Sequence, residues 1–247
     1  MNILAFDTCL DACSAAVVRG GDGAVYGVRD LMRRGHAEAL MPMIERVMAE
    51  AGLGFDDLDR IAITHGPGTF TGTRLGISAA LGFAVARVIP VATVSSLAVV
   101  ARGAAVALGD AAAAYAGIAV VRDARRERVY LEITDNGGRP AEAPRLLALD
   151  DALAAIEGRG HFAVGSGVGA LEARVGGSIR GAVTEWPVPP PEAVDEPDAR
   201  FLLDLAAGLP VSLDPAPLYL RPPEAKPAAP PAPFLAGPAA TATNRDA

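Results

Sequence analysis

The segment best suited to chemistry is a glycine-rich loop, His65-Gly66-Pro67-Gly68-Thr69-Phe70-Thr71-Gly72. It lies between a short apolar run and a helical pattern, so its glycines would place backbone N–H groups at a helix N-terminus, where anions are favoured. No Gly-Lys-Ser/Thr follows, which excludes a Walker A loop. Two interpretations remain: a phosphate-binding loop, or a tight turn that lets the helix pack closely on a sheet.

A second polar position follows the first apolar run. Asp7-Thr8 ends that run, and Ser14 begins the next. A carboxylate at such a hairpin would hold a hydrated metal ion while hydroxyls meet phosphates; the alternative is an Asx-turn. The candidates for a degenerate nucleotide pocket are Asp7, Thr8, Gly66, Gly68 and Gly72.

Other reactive residue types indicate neither a catalytic nor a metal site. His36 and His65 lack neighbouring ligands, as is usual for cap or loop histidines. Cys9 and Cys13 have neither a His pair at zinc spacing nor a second Cys pair. No serine stands in a Gly-x-Ser-x-Gly elbow. The run from 123 to 128 holds three arginines and two acids, which favours a solvated turn, with contact to RNA inside a complex as the alternative.

Apolar runs and their spacing predict an α/β chain in which the first three strands form antiparallel pairs. The predicted strands are 3–6, 15–18, 24–28, 61–64, 90–94, 118–121 and 129–134, and the predicted helices are 36–51, 73–88, 96–108, 149–156 and 198–207. The helix at 73–88 is apolar nearly all round, so either the core or another chain must cover it. The second unit repeats the order of strands and helices without repeating the glycine motif.

Length, composition and net charge limit the classes of protein to which this chain can belong. With 247 residues, 51% of them hydrophobic, the chain can bury one large core or two modest ones. Its net charge of −7 argues against tight binding to a nucleic-acid backbone by this chain alone. The N-terminus has neither the basic start nor the long apolar stretch of a signal peptide. We therefore expect a cytoplasmic protein that spans no membrane.

Three segments of the chain, taken in their order along the sequence, resemble the bacterial TsaB family, also called YeaZ. They are Ile3–Thr8, His36–Ile44 and Gly66–Gly76. The resemblance extends through Val94–Leu97, Asp123–Arg125 with Val129-Tyr130, and Pro217–Arg221, so it covers about residues 1–221. It implies an acetate-kinase/Hsp70/actin-like (ASKHA, RNase H-like) fold with two tandem subdomains. The expected division is 1–109, 110–221 and a Pro/Ala-rich tail, predicted to be disordered, at 222–247.

The resemblance also implies a function, the formation of N6-threonylcarbamoyladenosine next to the anticodon of tRNAs that read ANN codons. In the family, TsaB is the accessory member: it forms a heterodimer with the catalytic subunit TsaD, the ATPase TsaE docks on that pair, and tRNA is reached through the complex. This chain would need no cofactor of its own, and ATP or ADP could be bound in the complex. For the chain alone, both a monomer and a homodimer are open.

The expectation that this chain is the accessory and not the catalytic subunit depends on the segment after Val94. The catalytic relatives have metal-binding histidines there, whereas this chain has Ser95-Ser96-Leu97-Ala98-Val99-Val100. The resemblance therefore implies a non-catalytic subunit, with at most feeble ATPase activity and no metal site.

The resemblance places the partner surface on the helices at about 36–51 and 73–88. Gly72, Gly76 and Ala80 recur every four positions and would let helices approach closely, with packing on the sheet as the alternative. The predicted partner-binding residues are His36, Leu40, Met43, Ile44, Val47, Gly72, Gly76, Ala79, Ala80 and Phe83. Leu40→Glu or Ala79→Arg is expected to abolish pairing with TsaD and leave the fold intact.

Three other functions compete with this one. A stand-alone ASKHA-type small-molecule kinase or ATPase would need a working nucleotide site around Asp7. A glycoprotease would need paired histidine ligands or a triad. A homodimeric scaffold would differ only in its partner.

Overall fold

The computed structural model describes residues 1–177, 179 and 194–221, which contain two β-sheets with helices on both sides of each. The strands are β1 (Ile3–Asp7), β2 (Ala12–Val18), β3 (Val25–Leu31), β4 (Arg60–Thr64), β5 (Val91–Val94), β6 (Gly117–Asp123), β7 (Arg128–Thr134), β8 (Arg145–Ala148) and β9 (His161–Val164). The helices are α1 (His36–Ala51), α2 (Phe70–Arg87), α3 (Ser96–Leu108), α4 (Leu149–Ile156), α5 (Val168–Val175) and α6 (Ala199–Ala206). The tail predicted at 222–247 lies outside the described residues.

The first sheet has the order β3-β2-β1-β4-β5. β1 pairs with β2 antiparallel and with β4 parallel, and β2 pairs with β3 antiparallel, which confirms the three predicted opening strands. Every residue of β1 is buried because helices cover both faces of the sheet. Leu4 and Phe6 pack towards α1 and α2, whereas Ile3 and Ala5 pack towards α3 and α6.

The second sheet has the order β8-β7-β6-β9 and repeats the plan of the first. Its central strand β6 pairs antiparallel with β7 and parallel with β9. A glycine turn recurs as well: Gly165 follows β9 with φ 111°, as Gly66 follows β4 with φ 113°. The sequence of the glycine-rich loop is not repeated in the second unit, as predicted. A glycine with nearly the same positive φ, which few other residues adopt, nevertheless follows the corresponding strand.

Helices and sheets alternate in five layers. α1 and α2 cover the outer face of the first sheet, α3 and α6 lie between the sheets, and α4 and α5 cover the outer face of the second. α3 is apolar because it packs on both sheets, with Ala98 and Val99 towards the first and Leu97 and Val100 towards the second. In the described part of the chain, Ser96–Ala114 has the length and composition of a membrane span, but 56% of it is buried inside the protein, as in a core helix.

α6 lies on the first sheet although its sequence falls in the second predicted segment. It contacts β1, β2, β3, β4 and β5 as well as α3. The proposed division at residue 109 thus separates the two sheets along the chain, but the helix layer between the sheets is built from both segments.

α2 begins at Phe70, three residues before its predicted start. The Thr69 side chain accepts a hydrogen bond from the backbone N–H of Gly72 (3.1 Å) and so caps the helix. Part of the glycine-rich loop is therefore the first turn of α2.

Candidate functional site

The polar residue at the end of β1, Asp7, is buried with 1% of its surface exposed. Its Oδ1 accepts hydrogen bonds from the Thr64 hydroxyl and from the backbone N–H of Cys9 (3.2 Å). Its Oδ2 has no hydrogen-bond partner among the described residues. Burial raises the pKa of Asp7 to about 6, against the lowering effect of the hydrogen bond from Thr64.

The glycine-rich loop packs directly on the residues that follow β1. The Thr8 hydroxyl donates to the Gly72 carbonyl (2.7 Å), and the Thr69 N–H donates to the Cys9 carbonyl (2.8 Å). A Cβ added at Gly72 would lie 2.0 Å from the Thr8 carbonyl oxygen, and one at Gly68 would lie 2.3 Å from that of Cys9. These glycines are required because protein backbone approaches them closely.

The five residues predicted to hold a nucleotide therefore do not form a phosphate cradle in this conformation. The β1–β2 connection fills the space beside Gly68 and Gly72, and the Thr8 hydroxyl donates its hydrogen bond to the Gly72 carbonyl. Gly66 has its carbonyl bonded to the Ser96 N–H (2.9 Å). Asp7 retains a buried carboxylate oxygen, Oδ2, that has no hydrogen-bond partner among the described residues. The geometry favours the interpretation in which the glycines allow close packing.

The two histidines singled out in the sequence are bonded to backbone carbonyls. Nε2 of His36 donates to Leu10 O (2.9 Å), and Nδ1 of His65 donates to Ala216 O (3.3 Å). Across residues 1–177, 179 and 194–221, no group of three or more His, Cys, Asp or Glu side chains could hold a metal ion.

The serines at the start of α3 are both hydrogen-bonded. The Ser96 hydroxyl donates to Pro67 O (2.5 Å), and the Ser95 hydroxyl donates to Glu132 Oε2 (2.5 Å). Glu132 extends from β7 and is 1% exposed, and its carboxylate also accepts from the Ala98 N–H in the first turn of α3. Burial raises the pKa of Glu132 to about 7, which these two hydrogen bonds partly oppose.

An ion cluster joins the two sheets. Arg122 at the end of β6 contacts Glu196 (2.5 Å) and Asp11 (3.5 Å), and the Asp11 N–H donates to Glu196 (2.8 Å). Burial raises the pKa of Glu196, and Arg122 opposes that shift. The side chains of Arg122 and Glu196 are both largely buried, so this cluster fixes the β1–β2 connection against the second sheet.

Most of the predicted partner-binding residues lie in the core. The buried ones are Leu40, Met43, Ile44, Val47, Gly72, Gly76 and Ala80. They face the first sheet, and a Cβ at Gly76 would lie 2.9 Å from Thr8 Oγ1. A partner that binds this conformation cannot contact them, so a partner surface on these helices must use other side chains. His36, Ala79 and Phe83 are partly exposed.

The exposed face of α2 was not specified by the sequence patterns. Its central row is formed by Phe70, Arg74, Ser78, Gly82 and Val85, which follow one another at spacings of four or three. The other exposed residues of α2 are Thr71, Ala86 and Arg87. Val85 is 81% exposed. Phe70 and Arg74, the two large residues at the N-terminal end of this face, lie in the segment Gly66–Gly76 that resembles the TsaB family. The sequence patterns predicted no role for their side chains.

The C-terminal strap, residues 212–221, crosses both halves of the molecule. Ser212 pairs with Val91 in β5, and the Leu218 N–H donates to the His65 carbonyl (2.8 Å). Tyr219 stacks on Phe70 with ring centroids 6.3 Å apart. Two residues later, the Arg221 guanidinium donates to the Ala124 carbonyl in the β6–β7 turn.

Each sheet thus has an acid at the end of its central strand, Asp7 or Asp123, and a glycine turn after the parallel strand beside it. These two repeated units, with α3 and α6 packed between them, define an α/β protein of the acetate-kinase/Hsp70/actin-like class.

A family model described as "TsaD: tRNA N6-adenosine threonylcarbamoyltransferase" matches residues 28–155. The chain belongs to this family and, within it, to the TsaB/YeaZ group. The tRNA threonylcarbamoyladenosine biosynthesis protein TsaB of Haemophilus influenzae is 38% identical over 82 residues, which are 33% of this chain and 34% of that protein. The Escherichia coli protein of the same name is 39% identical over 82 residues, which are 33% and 35% of the two chains.

The matched segment spans about a third of the length of these curated relatives. The solved structure of YeaZ from Pseudomonas aeruginosa is similar over a much longer stretch. It superposes with a TM-score of 0.72 at 29% identity and covers 89% of this chain and 99% of that one. The likeness in fold therefore extends well beyond the segment of high sequence identity.

Proposed function

We propose that this chain is an accessory subunit in the biosynthesis of threonylcarbamoyladenosine in tRNA, and that it pairs with a catalytic subunit of the TsaD type and activates it. The observation behind this proposal is the exposed face of α2. Between Arg74 and Arg87 the helix has no charged residue, although Ser78, Gly82 and Val85 face outward.

A long uncharged stretch on an outward helix face is typical of a surface that another protein covers. Small residues predominate there, and beside Gly82 a Cβ would meet nothing within 4 Å. A partner helix could therefore approach the backbone of α2 closely. The exposed residues of α1 include the charged Glu45 and Arg46 besides Met41, which is 40% exposed. The uncharged part of the proposed contact is therefore on α2.

Two features of the site favour an accessory role over a catalytic one. The hydroxyls of Ser95 and Ser96, where the resemblance would place metal-binding histidines, are bonded inside the protein. The glycine loop is packed on Thr8 and Cys9, which argues against the stand-alone kinase. In this proposal TsaD supplies the transfer chemistry, ATP or ADP is bound in the complex, TsaE docks on the pair, and tRNA is held by the complex in the cytoplasm.

The direct test is reconstitution. Formation of threonylcarbamoyladenosine on substrate tRNA is measured with TsaD, TsaE and the threonylcarbamoyl-adenylate synthase, with and without this chain. The proposal requires product only when the chain is present and none from the chain alone. Unchanged product in its absence would refute the activating role.

The pairing surface is tested with a matched pair of exposed valines. Val85→Arg on α2 is expected to weaken binding to TsaD by at least about tenfold, because an unpaired guanidinium would be desolvated in the contact. Val106→Arg on α3, at a position 49% exposed, is the control and should bind like the wild type. Equal affinities of the two variants, measured by calorimetry, would exclude the face of α2 as the contact.

A further inference from the structure

Three residues at the N-terminal end of α2 form a compact surface group, which we name the arginine stack: Phe70, Arg74 and Tyr219. Phe70 is 62% exposed and Tyr219 is 51% exposed. The Arg74 guanidinium carbon lies 3.5 Å from the centroid of the Phe70 ring and 5.6 Å from that of Tyr219. Arg74 Nε donates a hydrogen bond to the Tyr219 hydroxyl (2.7 Å).

These contacts fix the plane of the guanidinium and leave its outer edge open. The ring of Phe70 holds one face, and the hydroxyl of Tyr219 uses only Nε. Within the described residues, the terminal nitrogens Nη1 and Nη2 form no hydrogen bond or ion pair. Two parallel N–H donors on a planar guanidinium match the two oxygens of a carboxylate.

Arg74 is also the one charged residue in the sequence from Phe70 to Ala86. It stands at the end of the α2 face that we propose to be covered by TsaD. A charge that becomes buried in a protein contact is costly unless an opposite charge pairs with it. A partner that covers this face must therefore supply an anion at Arg74.

From this arrangement we infer that the arginine stack is a carboxylate-binding site for an Asp or Glu side chain of the TsaD-type partner. Arg74 binds the carboxylate through both terminal nitrogens, and Phe70 and Tyr219 are positioning residues. The inference rests on the proposed function and names the chemistry of one contact within it.

An RNA phosphate is the less favoured anion. The protein has a net charge of −7, which opposes the approach of a nucleic-acid backbone. The neighbouring exposed residues of α2 are small and uncharged, as in a protein contact.

The test compares full-length variants for binding to TsaD over a range of NaCl concentrations. Arg74→Ala should weaken binding by about 30-fold or more, with a shallower salt dependence. Arg74→Lys should keep much of the salt dependence but not the affinity, because a lysine lacks the planar pair of donors. Arg145→Ala, at an exposed arginine on β8 of the second sheet, is the control and should bind like the wild type.

The positioning role is tested by a double-mutant cycle. Tyr219→Phe keeps the ring and removes the hydroxyl, and it should weaken binding in the wild-type background but have no further effect beside Arg74→Ala. A purely structural role of Tyr219 would give the same loss in both backgrounds. Charge reversal at Arg74, Arg74→Glu, should be rescued by Asp→Arg or Glu→Arg at one position of TsaD.

The outcomes separate the inference from the proposed function. If the wild-type chain does not bind TsaD, both are refuted. Wild-type binding that is unchanged in Arg74→Ala refutes the carboxylate site and leaves the pairing intact. If Arg74→Ala lowers the affinity of the complex for tRNA but not the affinity for TsaD, the anion is an RNA phosphate and the inference is wrong.

Discussion

Replacement of Glu132 by glutamine should change how the stability of this protein depends on pH. Glu132 is 1% exposed, and its pKa is raised from 4.5 to about 7, chiefly by burial. The unfolded chain releases this proton from about pH 4.5 upward, whereas the folded protein retains it until about pH 7. The folded state therefore binds more protons over this window, and stability falls as pH rises through it.

The size of the effect follows from the shift. A change from 4.5 to about 7 corresponds to about 3 kcal/mol at 1.36 kcal/mol per pK unit. Glu132→Gln removes the ionisation and keeps an acceptor for the Ser95 hydroxyl and the Ala98 N–H. Relative to the wild type, the variant should therefore gain about 3 kcal/mol between pH 4.5 and pH 8.

The assay is urea unfolding of both proteins at a series of pH values, with Glu45→Gln on the exposed side of α1 as the control for the substitution itself. Asp7, whose pKa is raised from 3.8 to about 6, has an effect of the same sign but is present in every protein, so it cancels in the difference. If the free energies of unfolding of wild type and Glu132→Gln differ by the same amount at both ends of the range, the buried carboxyl does not act as described.

Two further predictions concern packing. Gly72→Ala should destabilise the fold by more than about 1 kcal/mol, because its Cβ would lie 2.0 Å from the Thr8 carbonyl oxygen. Gly82→Ala should stabilise the fold by up to about 1 kcal/mol through helix propensity, because its Cβ would meet nothing within 4 Å. Thermal unfolding of both variants checks this, and equal changes in melting temperature would contradict the argument. Leu40→Ala should cost about 2–5 kcal/mol in urea unfolding because Leu40 is in the core, and a cost below about 1 kcal/mol would place it at the surface.

The burial of Leu40 also corrects an expectation from the sequence. Leu40→Glu would place a carboxylate in the core, so loss of TsaD binding in that variant would report unfolding rather than a broken contact. The apolar stripe of α1 was correctly identified, but an apolar stripe faces whatever covers it. The pattern alone does not distinguish the sheet of the same chain from a second protein.

The elements themselves were well predicted where periodicity is strong. α1 begins and ends at the predicted residues, and the antiparallel start of the first sheet is confirmed. The start of α2 was displaced because the cap at Thr69 lies inside the glycine loop, whose glycines weaken a helical pattern. α6 was predicted as a helix, but its place on the first sheet depends on contacts between distant residues, which local spacing does not encode.

For the candidate site, too, local sequence patterns did not predict the contacts between distant residues. Asp7 and the glycine loop were predicted to lie together, and they do, but the space between them depends on ångström-scale packing of Gly68 and Gly72 on backbone atoms. The arginine stack joins residues 70 and 74 to residue 219, so no local motif could reveal it. The burial of Glu132 was not predicted, because a single glutamate in a strand carries no sequence signal that it is buried.

The C-terminal strap connects the two halves of the protein through contacts that lie close together in the sequence. Tyr219 is held at α2 and Arg221 at the β6–β7 turn, and a chain segment of two residues spans at most about 7 Å when fully extended. The two contacts are thus separated by only two residues of backbone. A displacement of Tyr219 at the N-terminal end of α2 is therefore expected to act on the hydrogen bond between Arg221 and the turn that contains Ala124.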